Sequence, residues 1–272
     1  MITALLLVLL VLSASEARAA DTLADAQALF YDGRYAEASA LAQTLTADQG
    51  MLAIYELRTS ALHFQLRAAL GKGKDRAKAL NECQPCREQM DSFMRELKLG
   101  QALARTTLKE NSRDATALYF LGKLDLNYVW LMLGTLGRRT GWNEFWEARH
   151  SLDALLTENP RHLRGRVARA WIEYIVDTRM PWGTAWMLGG GNKRKALATM
   201  QEAANAQDEF YSQAEAVFGL WEMQVREENF KAALVTARRL AVQFPGNRDV
   251  ASFVDRYAGG QPVERSTKQA PD

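Results

Sequence analysis

The chain has 272 residues and is close to electrically neutral, with 34 Lys and Arg against 32 Asp and Glu. No long block of like charge occurs, which argues against a dedicated nucleic-acid-binding protein, because such proteins neutralise many phosphates. A hydrophobic fraction of 48% is enough to build a sizeable core.

Residues 1–19 are predicted to be a signal peptide rather than part of the fold. An unbroken apolar run at 4–12 precedes a small-residue segment that offers an A-x-A cleavage site at Ala17 and Ala19. The apolar run is too short to span a bilayer, which takes about twenty residues. We therefore expect export to the periplasm or the extracellular medium, with an uncleaved anchor as the alternative.

Apolar residues at helical spacing predict helices from residue 22 onward. Residues 22–46 fit two short helices around a turn at Gly33, which is free to adopt a positive φ angle. Residues 51–70 predict a third helix, which the glycine- and lysine-rich segment 71–74 ends. No alternating strand pattern occurs, so the predicted fold class is all-α.

Cys83 and Cys86 are the two cysteines of the chain. In an oxidising compartment such a pair can close as a disulfide, since helical spacing brings the two residues within bridging distance. Pro85 fits the first turn of a helix that the pattern predicts from there to residue 110. We favour a structural or idle pair. A redox-active pair would lack the strand–helix–strand context of thioredoxin-like sites, and a metal site would lack further ligands.

The middle of the chain matches itself at an offset of 48 residues. The matched pairs are Gly122 with Ala170, Gly141 with Gly189, Ala148 with Ala196, and Leu152 with Met200. Each copy has a small residue in a first helix and an alanine 26 residues later in a second helix. Repetition at a period of this size predicts stacked helix pairs.

Two turns carry a resemblance to a known repeat family. The segment GRYAEA at 33–38 resembles the G-x-Y-x-x-A turn of tetratricopeptide repeats, and ENFKAA at 228–233 resembles the same turn with Asn229 in the sharp position. Pro160 and Pro245 each follow an alanine by twelve residues, which is similar to the family's second helix and closing proline.

The Leu-Gly pair at 121–122 also resembles the family's first helix. The resemblance implies a right-handed solenoid of antiparallel helix pairs over residues 20–256. The tail at 257–272 is predicted to be disordered, because the segment after the glycines at 259–260 is polar and has two prolines. A standard unit separates its small residue and its alanine by twelve residues. The two central units are therefore predicted to be elongated by inserted segments at 127–142 and 176–190.

Six of the seven tryptophans fall between residues 130 and 186, and arginines are interleaved with them. Large aromatics and arginine dominate binding hot spots, so the inserted segments are expected to line one groove or pocket. The alternative is that these tryptophans fill the core of the inserted segments. The candidate partner- or ligand-binding residues are Trp130, Arg138, Arg139, Trp142, Trp146, Arg149, Tyr174, Asp177, Arg179, Trp182, Trp186, Asn192 and Lys193.

Three acidic residues lie on otherwise apolar helices: Asp125, Glu173 and Asp177. Buried charges must be paired, so ion pairing is the first interpretation, ahead of ligand contact and of acid–base catalysis. The candidate ion-pair partners are Arg138, Arg139 and Arg179.

A glycine-rich turn, LGGGN at 188–192, precedes a helix predicted from Lys193 to Ala204. Asn192 is a good N-cap residue, which predicts a plain capping turn. Glycine backbone at a helix start beside Lys193 could also hold an anion, or approach another group closely.

The favoured function is docking of a protein or peptide partner of the cell envelope in a Trp- and Arg-rich groove. The chain is also similar to the T-component family of periplasmic TRAP transport systems, through export, helix pairs and the segment LGGGNKRKAL at 188–197. That resemblance implies a small hydrophobic or carboxylated ligand and a partner binding protein.

An enzyme is not expected, because no H-E-x-x-H, G-x-S-x-G or dinucleotide-binding motif occurs. No cofactor, metal or nucleic-acid partner is expected either, and membrane association is expected only through a partner.

Overall fold

The computed structural model describes residues 22–71, 73, 75–138, 140–179 and 189–259, without the side chain of Arg179. These residues form helices with no β-strand among them, which confirms the all-α class. The α-helices are α1 (Leu23–Tyr31), α2 (Tyr35–Thr44), α3 (Met51–Leu70), α4 (Arg76–Glu82), α5 (Gln84–Glu110), α6 (Ala115–Val129), α7 (Trp142–Glu158), α8 (Leu163–Arg179), α9 (Lys193–Ala204), α10 (Phe210–Arg226), α11 (Phe230–Gln243) and α12 (Arg248–Ala258). A 3₁₀ turn, Ala47–Gln49, precedes α3, and a π-helical segment, Trp130–Thr135, continues α6.

Helix α12 ends two residues beyond the boundary predicted at 256. The predicted signal peptide at 1–19 lies outside the described residues, as does the tail from residue 260 onward.

Most of the described helices pack as consecutive pairs: α1 with α2, α3 with α5, α6 with α7, α8 with α9, and α10 with α11. The short α4 lies against α3 and α5, and α12 packs on α11. The first helices of the pairs also contact one another in the order α1, α3, α6, α8, α10. The surface on which these first helices meet is called the inner face.

The first and last helix pairs are in contact through Tyr31 at the end of α1. Its ring stacks on Tyr211 and Phe218 of α10, with centroid distances of 5.9 and 5.4 Å. The Asn247 side-chain amide donates to the Tyr31 carbonyl at 2.7 Å, and Gly246 N donates to Asp32 Oδ1 at 3.1 Å. The first helices therefore form a closed ring instead of bordering an open concave groove.

The two turns that resemble each other in sequence share one backbone geometry. Gly33 has a φ of +78°, as predicted, and Glu228 takes the same left-handed region with a φ of +57°. The expectation that Asn229 occupies the sharp position is wrong, because its φ is −83° and its side chain accepts a bond from Ala232 N. Asn229 is the N-cap of α11, and Glu228 follows the C-cap residue of α10, where helices often end in a left-handed residue.

The 48-residue self-match marks the contacts within helix pairs. A Cβ added to Gly122 on α6 would lie 2.8 Å from Leu152 Cγ on α7, so glycine permits the close approach of these helices. Ala148 and Ala196, which match each other, are fully buried, and so are Leu152 and its match Met200. Repetition in the sequence thus reflects repeated packing of a first helix on a second.

The first inserted segment packs into the core. After the π-helical segment, the chain turns and α7 begins at Trp142. Leu131, Met132 and Leu136 are buried in one cluster with side chains of α3 and α5, among them Leu66 and Phe93. This segment therefore extends the hydrophobic core toward the preceding helix pair.

The second inserted segment, 176–190, is described only at its ends, in the last residues of α8 and at 189–190. Gly141 and Gly189, which the self-match pairs, both take positive φ angles, +96° and +76°. The longest helices lie elsewhere, because α3 has 20 residues and α5 has 27. The helices α3 and α5 were each predicted, but the sequence did not identify their pair as the unit with the longest helices.

Candidate functional site

The predicted aromatic site is partly assembled at the start of α7. Trp142 is the first residue of α7 and is 43% exposed, whereas Trp146, one turn later, is half-buried. Phe145 lies between them, edge-on to both rings at centroid distances of 6.4 and 5.6 Å. We call Trp142, Trp146 and Arg149, with Arg138 in the preceding loop, the tryptophan surface.

Arg149 joins α7 to the glycine-rich turn. Its guanidinium lies 6.0 Å from the ring centroid of Trp146, and Nη2 donates to the Gly189 carbonyl at 3.0 Å. A Cβ on Gly189 would lie 2.7 Å from Arg149 Cζ, so a side chain at that position would displace the guanidinium. Arg149 also lies 3.7 Å from Asp153 Oδ2 on its own helix. Arg149 of α7 therefore contacts the end of the second inserted segment.

The glycine-rich turn packs closely on the last turns of α8. A Cβ on Gly191 would lie 2.8 Å from the Glu173 carbonyl and closer still to Asp177 N. Asn192 caps α9 by accepting a hydrogen bond from Lys195 N at 2.9 Å, which confirms the capping interpretation. The absence of a side chain at Gly191 therefore lets the turn lie directly against the backbone of α8.

Several predicted ligand contacts are instead bonds between helices. Asp177 Oδ2 accepts a hydrogen bond from Lys193 N at 2.7 Å, and Lys193 Nζ lies 2.7 Å from Glu227 Oε2. Tyr174 is buried, and its hydroxyl donates to Glu227 Oε1 at 2.8 Å. These contacts join α8, α9 and α10, so Tyr174 is a core residue rather than an exposed binding residue.

Glu173 also forms ion pairs, but with other partners than those predicted. Its carboxylate lies 3.5 Å from Arg169 Nη1 and 3.3 Å from Lys195 Nζ. Arg138, one candidate partner, is exposed. Arg139 and the side chain of Arg179 lie outside the described residues, as do Trp182 and Trp186.

Trp130 does not join the other candidates at the start of α7. It is half-buried and lies edge-on to Trp171 of α8, with centroids 6.5 Å apart. Arg226 of α10 lies 5.9 Å from the Trp171 ring centroid. Trp130 and Trp171 therefore belong to the inner face. The predicted tryptophan cluster is thus split between the inner face and the tryptophan surface.

Asp125 is buried without the arginine partner that sequence reasoning expected. Gln101 Nε2 donates to Asp125 Oδ1 at 2.6 Å, and a side-chain hydrogen bond also links Asp125 with Glu147. Burial and the nearby Glu147 carboxylate raise the pKa of Asp125 to about 9, which keeps this side chain protonated at neutral pH. Glu147 is paired with Arg105, whose hydrogen bond lowers the pKa of that carboxyl. Three helices, α5, α6 and α7, meet at this acid pair.

The inner face holds a set of four charged side chains that sequence reasoning missed: Glu56 on α3, Lys123 on α6, Arg164 on α8 and Glu215 on α10. We call these four residues the inner cluster. Lys123 Nζ lies 2.6 Å from Glu215 and 3.9 Å from Glu56. Arg164 Nε donates to Glu215 at 2.9 Å, and Nη2 lies 3.8 Å from Glu56. The inner cluster thus pairs two acidic with two basic side chains across four helices.

Glu215 is ionised in the inner cluster, and two of the cluster's side chains keep part of their surface exposed to solvent. Burial alone raises the pKa of the Glu215 carboxyl, but Lys123 and Arg164 outweigh it and hold this pKa at about 2. Lys123 and Arg164 keep 19% and 21% of their side-chain surface exposed. Tyr119 lies beside them, with Arg164 4.6 Å above its ring centroid. The available sequence signal was that Glu56, Lys123 and Glu215 each interrupt a largely apolar stretch of helix.

The predicted disulfide is present between Cys83 and Cys86. Among the described residues, no group of three or more His, Cys, Asp or Glu side chains could hold a metal ion. Within the same part of the chain, every helix is too short or too polar to cross a bilayer. Comparison of the chain with protein-family models, with curated proteins and with solved structures gives no match.

Proposed function

We propose that this chain is an exported, TPR-like helical-repeat protein whose function is binding rather than catalysis. Five helix pairs packed in chain order support a stack of repeat units, and the shared turn geometry of Gly33 and Glu228 supports the same repeated unit at both ends. The apolar run at 4–12 supports export to the periplasm or the extracellular medium. Such repeats present rigid surfaces to partners.

The partner is a protein or peptide of the cell envelope, and its docking site is the tryptophan surface. The observation that carries this proposal is Trp142, a tryptophan 43% exposed at the start of α7. A partner that buries this ring gains large apolar area, and the exposed Arg138 four residues earlier supplies polar contacts. Docking at this surface also avoids the inner face, which the contact between α1 and α10 encloses.

A matched pair of variants tests this docking site. Tagged protein carrying Trp142→Ala and Arg138→Ala is compared with Phe210→Ala, which removes an aromatic ring of similar exposure, 46%. Wild type and Phe210→Ala are expected to retain the same partner from a cell-envelope extract, and the double variant is expected to lose it. Equal recovery by all three proteins contradicts the proposed site.

A second candidate function is binding of a small amphiphilic ligand at the inner face, in line with the similarity to TRAP T-components. The observation in its favour is that Lys123 and Arg164 stay partly exposed inside the ring of helices. Trp130 and Trp171 supply aromatic surface on the same face. A ligand with a polar group and an apolar body would match this arrangement.

An anionic apolar dye, anilinonaphthalene sulfonate, serves as the probe for this second function. The dye is expected to bind the folded wild type, and Trp171→Ala is expected to weaken binding by about tenfold, as for a hot-spot aromatic. Trp142→Ala is the control and is expected to bind as the wild type does. Equal binding by both variants removes the inner face as the ligand site.

A further inference from the structure

The Cys83–Cys86 disulfide has an asymmetric environment at the start of α5. Cys83 is the N-cap residue and is half-buried, whereas Cys86 lies in the first helical turn and is 1% exposed. Cys83 is therefore the more accessible cysteine of the pair and packs at the edge of the core cluster that contains Leu80 and Phe93, whereas Cys86 is buried within that cluster. An exchange reaction with an external thiol would begin at Cys83.

The start of α5 also suits a thiolate at Cys83. Cys86 N lies 3.2 Å from Cys83 Sγ and donates a hydrogen bond to it. The helix that begins there has 27 residues, and its first turn has no acidic side chain. Backbone N–H groups at a helix N-terminus stabilise negative charge, and cysteines in C-x-x-C pairs at such positions are the reactive ones.

The covalent bond contributes little to holding the fold together. It closes a loop between residues only three apart in sequence. In the chain-entropy model the stabilisation by a disulfide grows with the length of the loop that it closes, so a loop this short stabilises the fold least. The neighbouring helix α4 is already held by the burial of Leu80, which is 4% exposed. A purely structural role therefore leaves the position of the pair unexplained.

We propose that Cys83 and Cys86 form a redox-active pair that exchanges disulfides with an external dithiol. A thiolate of the dithiol attacks Cys83 Sγ and forms a mixed disulfide, while the Cys83–Cys86 bond breaks and its electron pair leaves on Cys86 Sγ, which takes a proton from solvent. The second thiol of the dithiol then attacks its own sulfur in the mixed disulfide and releases the Cys83 thiolate. The dithiol is oxidised and loses two protons to solvent, while the protein takes up two electrons and one proton, which Cys86 holds, and Cys83 remains a thiolate. This activity is separate from partner docking at the tryptophan surface.

Two single-cysteine variants test the asymmetry. Cys86→Ala keeps the accessible thiol and Cys83→Ala keeps the shielded one, so an aromatic disulfide reagent is expected to react at least about tenfold faster with Cys86→Ala. Equal rates, or faster reaction of Cys83→Ala, overturn the proposal.

The wild-type protein gives an independent measurement that does not depend on how either variant folds. Excess dithiothreitol under native conditions is expected to reduce the pair while circular dichroism stays unchanged. Limited alkylation followed by mass spectrometry is then expected to label Cys83 before Cys86. A pair that resists dithiothreitol until the chain unfolds, or that is labelled first at Cys86, overturns the proposal.

Discussion

The inner cluster and the tryptophan surface differ in how far their side chains are already paired within the fold. In the inner cluster, two acidic and two basic side chains from four helices pair with one another, and Glu215 contacts both bases. At the tryptophan surface, Trp142 is 43% exposed on a single helix. Removing one partner from a buried charge network leaves the others unpaired at a high cost, whereas an exposed ring adds little to folding and much to an interface. Under the proposed function, changes in the first region are expected to affect stability and changes in the second to affect binding.

The largest expected effect comes from unbalancing the inner cluster with Glu215→Gln. Lys123 and Arg164 would then share one carboxylate, and removing one partner of a buried charge network costs about 3–5 kcal/mol of unfolding free energy. Urea unfolding measures this loss. Glu222→Gln on the same helix is the control, since the Glu222–Arg226 pair is more exposed and is expected to contribute less than about 1 kcal/mol.

The pH dependence of the same variant sharpens this prediction. The folded pKa of Glu215, about 2, lies below the ordinary value of 4.5. The wild type therefore loses this stabilisation as pH falls from 4.5 toward 2, and Glu215→Gln is expected to lose less over that range. An equal acid dependence of both proteins contradicts the paired cluster.

Asp125 is a buried carboxyl that the fold keeps protonated, and Asp125→Asn is expected to stabilise the protein. The folded pKa of about 9 lies above the ordinary value of 3.8, so the folded state holds a proton that the unfolded state releases between these values. Wild-type stability therefore falls with rising pH in this window, by up to about 1.4 kcal/mol per pH unit. The amide does not titrate, so the advantage of Asp125→Asn should grow between pH 5 and pH 8 in urea unfolding. A constant difference contradicts a protonated Asp125.

Gly191→Ala tests whether the glycine-rich turn must lie against α8. The added methyl would overlap the backbone at Glu173 and Asp177, which is expected to cost about 1–3 kcal/mol. Gly73→Ala is the matched control, because no atom lies within 4 Å of its added Cβ, and it is expected to change stability by less than about 1 kcal/mol. Thermal unfolding of the two variants distinguishes a docked turn from a free one.

The smallest expected effect is that of Trp142→Ala on stability. A surface substitution of this kind changes the unfolding free energy by less than about 1 kcal/mol, whereas Phe93→Ala, in the core, costs about 3–5 kcal/mol. Phe93 is fully buried. Urea unfolding measures the loss of unfolding free energy in both variants. A loss for Trp142→Ala as large as that for Phe93→Ala would make Trp142 a core residue.

Local structure could be predicted because the residues that decide it are close in sequence. The turn at Gly33, the helices at 51–70 and from Lys193 to Ala204, and the disulfide all follow from neighbours within a few positions. The 48-residue self-match located the helix pairs, because packing of a first helix on a second needs small residues at fixed positions.

Long-range contacts could not be predicted in the same way. Tyr31 bonds to a residue 180 positions away, and Lys123 bonds to one 92 positions away, so no local pattern connects them. Sequence reasoning chose Asp125, Glu173 and Asp177 as notable charges and passed over Lys123, because a lysine at a helix surface looks ordinary. The candidate site was likewise grouped by sequence proximity, which placed Trp130 with Trp142 although they lie in different regions.

Photo-crosslinking from single positions tests the division between binding and stability most directly. A benzoylphenylalanine residue replaces Trp142, Trp171 or Phe210 in turn, and each protein is irradiated in cell-envelope extract. If the partner docks at the tryptophan surface, a crosslinked partner protein is expected from position 142 and none from position 171 or 210. A partner crosslinked from position 171, or no adduct from position 142, would contradict docking at this surface.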